Sequence, residues 1–245
     1  MAKKETGAFQ FASFDRETLQ ERIYRELRRA LMSGAVRPGQ VVSSRTLAEM
    51  LGTSPMPVRD AIRRLVTEHA LIALPNRTMI VPDLTEKLID EIYKIRIVLE
   101  GLATEEAAAR ISKAELKELA ALEGKMVERL SAGKIADYLE ANWQFHFSIY
   151  SAAGLPQLLS LIEGLWLQIG PSISRQRPEN HSHEISDHHR KIIDALAAGD
   201  AVAARDAIVA DISQGREALK ASLGQEDDLP AAIPSPKRGR PRRTQ

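Results

Sequence analysis

Three apolar helical stripes in the second half of the chain carry side chains that could bind a metal ion. Asn142 and His146 lie one turn apart on the first stripe, His189 lies on the second and Asp211 on the last. An unpaired carboxylate buried there would be costly, so Asp211 needs a counter-charge, a proton or a cation. A divalent cation would meet this need, and the mixed nitrogen and oxygen set suits zinc, nickel, manganese or iron. The alternative for each residue is an ordinary buried polar group with hydrogen-bond partners.

Arg96 extends this polar pattern to a fourth helix, where it shares a face with Ile89, Ile92 and Ala103. A buried guanidinium beside a metal ion would bind a small carboxylate with two hydrogen bonds. We therefore assign effector binding to Arg96. The alternative is a structural salt bridge from Arg96 to Glu100 or to a glutamate elsewhere.

The elements that would position these residues are all helical from Thr85 onward. The apolar periodicity and the caps and breaks between segments predict an all-α bundle. Its helices are expected near residues 85–111, 113–132, 135–153, 156–174, 184–198 and 200–222. The polar, proline-containing segment 175–182 is expected to be a loop.

The N-terminal part has a different pattern, in which short helices precede a hairpin. A helix is expected over 16–33, a second begins at Ser43 or Ser44, and a third begins at Ser54 and Pro55. Two β-rich runs, 71–74 and 78–81, then predict a wing. The fold class is therefore mainly α, with an N-terminal winged helix-turn-helix and a C-terminal all-α helical bundle.

The third N-terminal helix has the pattern of a DNA-recognition helix. Val58, Ile62 and Leu65 form its buried stripe, which leaves arginines on the other side to meet base edges and phosphates. The alternative is that these arginines are only the solvated faces of ordinary helices. We assign DNA contacts in this domain to Arg45, Ser54, Met56, Arg59, Arg63 and Arg77.

Charge is segregated along the 245 residues, although the net charge is only +1. Residues 14–82 contain 11 arginines against 7 acidic residues, and residues 83–223 contain 16 basic and 22 acidic residues. A polyanion is thus attracted to the first domain and repelled by the second. With no cysteine and no long apolar segment, the chain is expected to be cytoplasmic and independent of membranes.

The last residues form a basic tail. We divide the chain into a flexible leader (1–13), a DNA-binding domain (14–82), an effector-binding and dimerisation domain (83–223) and a disordered tail (224–245). The tail contains Arg-Gly-Arg-Pro, which resembles the core of an AT-hook, and we assign minor-groove contacts to Arg238 and Arg240. The alternative is a basic tail that binds phosphates without sequence preference.

The stretch VVSSRTLAEMLGTSPMPVRDAIRRLVTEHALI resembles the winged helix-turn-helix of GntR-type bacterial transcription regulators, over about residues 17–81. The most specific part is PVRDAIRRL, at 57–65. This resemblance implies that Arg45 and Arg59 contact DNA. The chain departs from the family at Ser44, Pro55 and Thr78, where Glu, Arg and Gly are usual.

Residues 84–223 resemble the FCD-type effector domain of the FadR-like branch of the same family. The stretches YKIRIVLEGLATEEAAAR, ANWQFHFSIYSAAGLPQLL and HRKIIDALAAGDAVAARDAIVADI carry the resemblance. It implies that Asn142, His146 and His189 are metal ligands, and Asp211 stands where the last histidine of the family is usual.

Together these features predict a ligand-responsive transcription regulator, a repressor whose effector is a small carboxylate bound near the metal. A homodimer on a pseudo-palindromic operator is implied by the resemblance. One alternative from another class is a metal-dependent hydrolase with an accessory DNA-binding domain, which would need a general base beside the metal. A further alternative is a metal-free bundle that only dimerises.

Overall fold

The computed structural model describes residues 18–75, 78–176 and 182–223, with side chains of 182–186 excluded. Its helices are α1 (Leu19–Met32), α2 (Ser44–Met50), α3 (Pro55–Thr67), α4 (Glu86–Ala108), α5 (Lys113–Ser131), α6 (Ile135–Ala152), α7 (Pro156–Ile173), α8 (Ser182–Ala198) and α9 (Ala201–Ser222). Its strands are β1 (Val41–Val42), β2 (Ile72–Ala73) and β3 (Met79–Ile80). The expected fold class, a winged helix-turn-helix followed by an all-α bundle, is confirmed.

The first three helices and the small sheet form the winged helix-turn-helix. Ser43 caps α2 by accepting a hydrogen bond from the Thr46 backbone amide, and α1 packs against α3. The sheet corrects the expectation of a simple two-stranded hairpin, because β1 also pairs with β3, giving the order β1-β3-β2. Val41 lies opposite Ile80 across this extra antiparallel ladder.

The helical domain consists of α4 to α9, with boundaries that follow their caps. The Ser112 side chain and Glu115 form a capping box at the start of α5, and Asp200 caps α9. The expected loop over 175–182 is wrong at both ends, because residues Ser174–Gln176 form a turn of 3₁₀ helix and α8 begins at Ser182. Residues 177–181 lie outside the described residues. Of the helices described, none has the length and apolar character needed to cross a membrane.

The two domains share an extended contact, because α1 of the DNA-binding domain packs along α7 of the bundle. Buried apolar side chains, including Leu31 and Met32 of α1 and Leu167 of α7, make the core continuous between them. The bundle itself is built on α4, which packs against α6, α7 and α9. Arg96 lies on α4, Asn142 and His146 lie on α6, and Asp211 lies on α9. The inward faces of these helices therefore define the site.

Candidate functional site

The recognition helix α3 has one buried face and one exposed arginine-rich face. Val58, Ala61, Ile62 and Leu65 are buried against the domain. Arg59 is exposed, and the Arg63 side chain is 76% exposed although it pairs with Asp60 at 3.4 Å. Other side chains at the start of α3 are also open to a partner, since Ser54 is exposed, makes no capping hydrogen bond, and precedes Met56, which is 64% exposed.

Arg59 lines a cleft between α3 and the sheet, and Arg45 follows directly after Ser44, which lines the same cleft. Both arginines are exposed, and neither forms a salt bridge with another described residue. The cleft is lined by Ser43, Ser44, Arg59, Arg63, Thr78 and Met79, so donors from the recognition helix and the wing face the same space. Such a surface suits phosphate and base-edge contacts. The predicted DNA contacts of Arg77, Arg238 and Arg240 lie outside the described residues.

Arg64, also on α3, contacts side chains of its own domain instead. Its guanidinium lies 3.7 Å from the Tyr24 ring centroid, and its Nε is 3.3 Å from Glu68 Oε1. Tyr24 also donates a hydrogen bond to Glu68. Of the three arginines of α3, Arg64 connects α3 to α1, and Arg59 and Arg63 remain available to a polyanion.

In the helical domain, three of the predicted metal ligands meet at one point. The His146 Nε2 atom lies 3.5 Å from Asp211 Oδ2, and His189 Nε2 lies 3.6 Å from Asp211 Oδ1. One possible ligand atom from each of the three residues lies within 4.8 Å of the others. Asn142 lines the same cavity as His146 and Asp211.

The outer ring nitrogens of both histidines have their own partners. His189 Nδ1 lies 3.3 Å from Glu123 Oε2, and His146 Nδ1 lies 3.2 Å from the Tyr150 hydroxyl. Glu123 can only accept when ionised, and the Tyr150 hydroxyl donates its proton to Glu100. We therefore assign the proton of each ring to Nδ1, which leaves the Nε2 lone pairs directed at Asp211.

This arrangement fits a divalent cation. With the tautomers assigned above, two imidazole lone pairs face the Asp211 carboxyl group, and His189 Nε2 is buried with no hydrogen-bond partner. Burial lowers the pKa of His146 well below its ordinary value, helped by His189 and Arg96, so the imidazole is neutral. Burial also raises the pKa of Asp211, against the nearby positive charges. A cation would satisfy all three groups at once.

Arg96 forms the buried salt bridge that was the alternative to effector binding. Its Nε donates to Glu100 Oε1 at 2.6 Å, and its Nη2 donates to Glu100 Oε2 at 3.3 Å. The guanidinium also lies 4.6 Å from the Trp166 ring centroid. Nevertheless Arg96 lines the same cavity as Asn142, so the salt bridge and a ligand contact are compatible.

The cavity beside these residues is small, and both polar and apolar side chains line it. Its wall contains Asn142, His146, Asp211 and Arg96 together with Tyr93, Tyr138, Leu139, Trp166, Ile173, Gln176, Ile212 and Gln214. His189 is not part of this wall, but its Nε2 lies 3.6 Å from Asp211 Oδ1. Its volume is about 50 Å³, and a water molecule needs about 10 to 15 Å³ on the same scale. It therefore has room for a few waters or for one small polar molecule.

The sequence does not predict that Tyr150, Glu100 and Glu123 form the hydrogen bonds around the two histidines. Tyr150 lies four residues after His146 and so shares its face of α6, but the sequence gives it no function. Glu100 was considered only as a partner of Arg96, and Glu123 was not considered. A carboxylate beside the inward residues Leu119 and Leu122 of α5 was the available signal for Glu123.

Sequence models of two bacterial domains match this chain. The model for bacterial regulatory proteins of the gntR family matches residues 19–81, and the FCD domain model matches residues 91–214. These domains define a DNA-binding transcription regulator with a helical C-terminal domain, not an enzyme. The chain belongs to the GntR family, in its FadR-like branch with an FCD domain.

Individual relatives agree with this assignment. The chain is 32% identical to the HTH-type transcriptional regulator McbR of Escherichia coli, over 79% of this chain and 89% of that protein. It is 30% identical to a probable D-xylose utilization operon transcriptional repressor of Paenarthrobacter nicotinovorans, over 80% of this chain and 87% of that protein. A solved structure of E. coli McbR/YncC superposes with a TM-score of 0.79 and 29% identity, covering 84% of this chain and 99% of that one.

Proposed function

We propose that this protein is a repressor whose affinity for an operator changes when a small carboxylate binds in the cavity of the helical domain. The observation that carries the proposal is that His146, His189 and Asp211 converge on one point, and that two of them, His146 and Asp211, line one cavity with Arg96. Two of the relatives named as repressors, of D-xylose utilization and of the gluconate operon, support the direction of regulation. A cytoplasmic location is part of the same proposal, because a regulator that binds an operator must reach DNA.

Asn142, His146, His189 and Asp211 would hold the metal ion, which we take to be zinc, nickel, manganese or iron. Once bound, the ion supplies positive charge and open coordination positions for an anionic oxygen. Arg96 supplies the second contact, through guanidinium donors that Glu100 does not occupy. Glu123 and Tyr150 hold the two imidazole rings in the required tautomer through their Nδ1 atoms.

The DNA-binding side of the proposal rests on Arg45, Ser54, Met56, Arg59 and Arg63. Arg59 and Met56 lie at the start of α3, where side chains reach base edges in the major groove. Arg77 in the wing and Arg238 and Arg240 in the tail are proposed to add minor-groove contacts.

A homodimer forms part of the same proposal. Four apolar side chains follow one face of α4 at intervals of seven, three and four residues: Leu88 (37% exposed), Ile95 (43%), Val98 (66%) and Leu102 (43%). This is the spacing of a helix-to-helix seam, and a second copy of α4 would cover it. Replacing Ile95 and Val98 by glutamate should give monomers in light scattering, whereas Lys125→Glu, at an exposed position on α5, should not.

The metal site is tested by titrating Zn²⁺ into metal-free protein by calorimetry. Asp211→Asn should weaken binding at least about tenfold, because the amide cannot supply the carboxylate charge. Asp206→Asn makes the same change at an exposed position on the same helix and should leave binding unchanged. Equal affinities for the two variants would remove the metal site from the proposal.

The effector is tested by thermal shift with a panel of small carboxylates, each with and without a chelator. A hit should raise the melting temperature, and the shift should shrink on chelation and in Arg96→Gln. If no carboxylate stabilises the protein, or if neither the chelator nor Arg96→Gln reduces the shift in melting temperature, the effector half of the proposal is wrong.

A further inference from the structure

The end of α1 rests directly on the last turn of α7, with no side chain between them at Gly170. A β-carbon placed on Gly170 would lie 2.4 Å from the Leu31 carbonyl oxygen and 2.8 Å from both the Met32 Cα and its carbonyl oxygen. These are backbone atoms, which cannot move aside as a side chain can. The two helices are therefore as close at this point as a glycine allows.

Two salt bridges flank this contact and define its orientation. Arg28 Nη2 lies 3.0 Å from Glu163 Oε2 of α7, and Arg29 Nη2 lies 2.8 Å from Glu140 Oε1 of α6. Both pairs are partly exposed, so each adds little stability. Their geometry nevertheless connects two adjacent positions of α1, which point about 100° apart around the helix, to two different helices of the effector domain, and this opposes rotation of α1 about its own axis.

The residues behind the contact are those that line the cavity. Trp166 and Ile173 of α7 and Leu139 of α6 form part of its wall. A β-carbon on Gly34, just after α1, would lie 3.6 Å from Leu139 Cδ1 and 3.1 Å from the Gly170 carbonyl oxygen. Leu139 thus has the cavity on one side and the DNA-binding domain on the other.

We infer that this α1–α7 junction, made of Leu31, Met32, Gly34 and Gly170, is the surface through which the cavity sets the position of the DNA-binding domain. The inference deepens the proposed function, on which it rests for the occupant of the cavity. A close-packed contact between backbones does not deform gradually, so a shift of Leu139 or α7 moves α1 as a body. The recognition helix α3, which packs on α1, moves with it.

Gly170→Ala is the direct test, and Gly164→Ala is its matched control. Both changes add one methyl group to the same helix, but a β-carbon at Gly164 would meet nothing within 4 Å. Gly170→Ala should force α1 and α7 apart, whereas Gly164→Ala should leave them in place.

The readout is hydrogen exchange by mass spectrometry on the full-length protein, with and without Zn²⁺. In the unmodified protein and in Gly164→Ala, Zn²⁺ should slow exchange in peptides from α6 and also in peptides from α1. In Gly170→Ala the protection of α6 should remain, and the protection of α1 should be lost. Scanning calorimetry gives a second readout without metal, in which the single unfolding transition should split into two only in Gly170→Ala.

Failure of this inference can be distinguished from failure of the metal site. If Zn²⁺ protects α6 but not α1 in the unmodified protein, or protects α1 equally in Gly170→Ala, the junction does not couple the domains. If Zn²⁺ protects neither segment, the metal site fails, and calorimetry alone decides: an unsplit transition in Gly170→Ala refutes the junction. If Gly170→Ala does not fold, Glu140→Gln combined with Glu163→Gln replaces it, with reduced protection of α1 expected and unchanged protection refuting the inference.

Discussion

Removing the charge of Glu100 should destabilise the helical domain strongly. Glu100 is fully buried and the Arg96 side chain is only 4% exposed, so Glu100→Gln leaves a guanidinium without its counter-ion in the core. Breaking one side of a buried ion pair typically costs about 3 to 5 kcal/mol. For a domain of this size each kcal/mol lowers the melting temperature by about 2 to 4 °C, which gives a decrease of about 6 to 20 °C.

Glutamine keeps the size of the side chain, and its oxygen can still accept the hydrogen bond from Tyr150. Its amide nitrogen cannot accept the Arg96 Nε–H, so the variant removes both the charge and one hydrogen bond to Arg96. Urea unfolding followed by tryptophan fluorescence is a suitable assay, since Trp166 lies against Arg96. The matched control is Glu106→Gln on the same helix. Glu106 pairs with Arg110 at an exposed position and should contribute at most about 1 kcal/mol.

A double variant completes the test. Arg96→Met combined with Glu100→Gln removes the uncompensated charge and should recover most of the stability lost in Glu100→Gln alone. If Glu100→Gln is no less stable than Glu106→Gln, another group neutralises Arg96, and the structural role given to the ion pair is wrong.

Three further predictions concern pH, operator recognition and the tail. Because burial lowers the pKa of His146, its imidazole stays neutral in the folded protein and gains a proton on unfolding, so the metal-free protein should lose stability as the pH falls through about 6.5. Melting temperatures should show a smaller acid loss in His146→Gln, and an equal loss would exclude His146 as the cause. Arg59→Ala should weaken operator binding by about 1 to 3 kcal/mol and relax preference at one base pair in a binding-site selection, whereas unaltered preference would contradict base contact. Deletion of residues 230–245 should flatten the salt dependence of DNA affinity, and an unchanged slope would exclude the tail from binding.

Much of the helical framework could be predicted because local signals determine it. The expected helix near 113–132 is Lys113–Ser131 in the structure. Ser112 caps its first turn, and the apolar stripe stops near Ser131. The same periodicity places His146, His189 and Asp211 on inward faces, and the structure brings them within reach of one another. An inward face of a helix bundle leaves few directions in which a polar side chain can point.

The contacts between distant segments could not be predicted in this way. Strand β1 has two residues, which is too short for an alternating pattern, and its pairing depends on β3 far along the chain. Periodicity places Glu123 near the edge of an inward face, but only the packing of α5 on α8 brings it to His189. Likewise nothing in the sequence around Gly170 indicates which backbone will lie against it.

The closeness of Gly170 to α1 limits how this regulator can be recombined with its relatives. A chimera that joins a foreign winged helix to this effector domain would import a different final turn of α1 onto a surface shaped for Leu31 and Met32. With the proposed coupling through the α1–α7 junction, such a hybrid is expected to bind its new operator but to respond poorly to the effector. Transferring both sides of the α1–α7 junction together is expected to preserve the response.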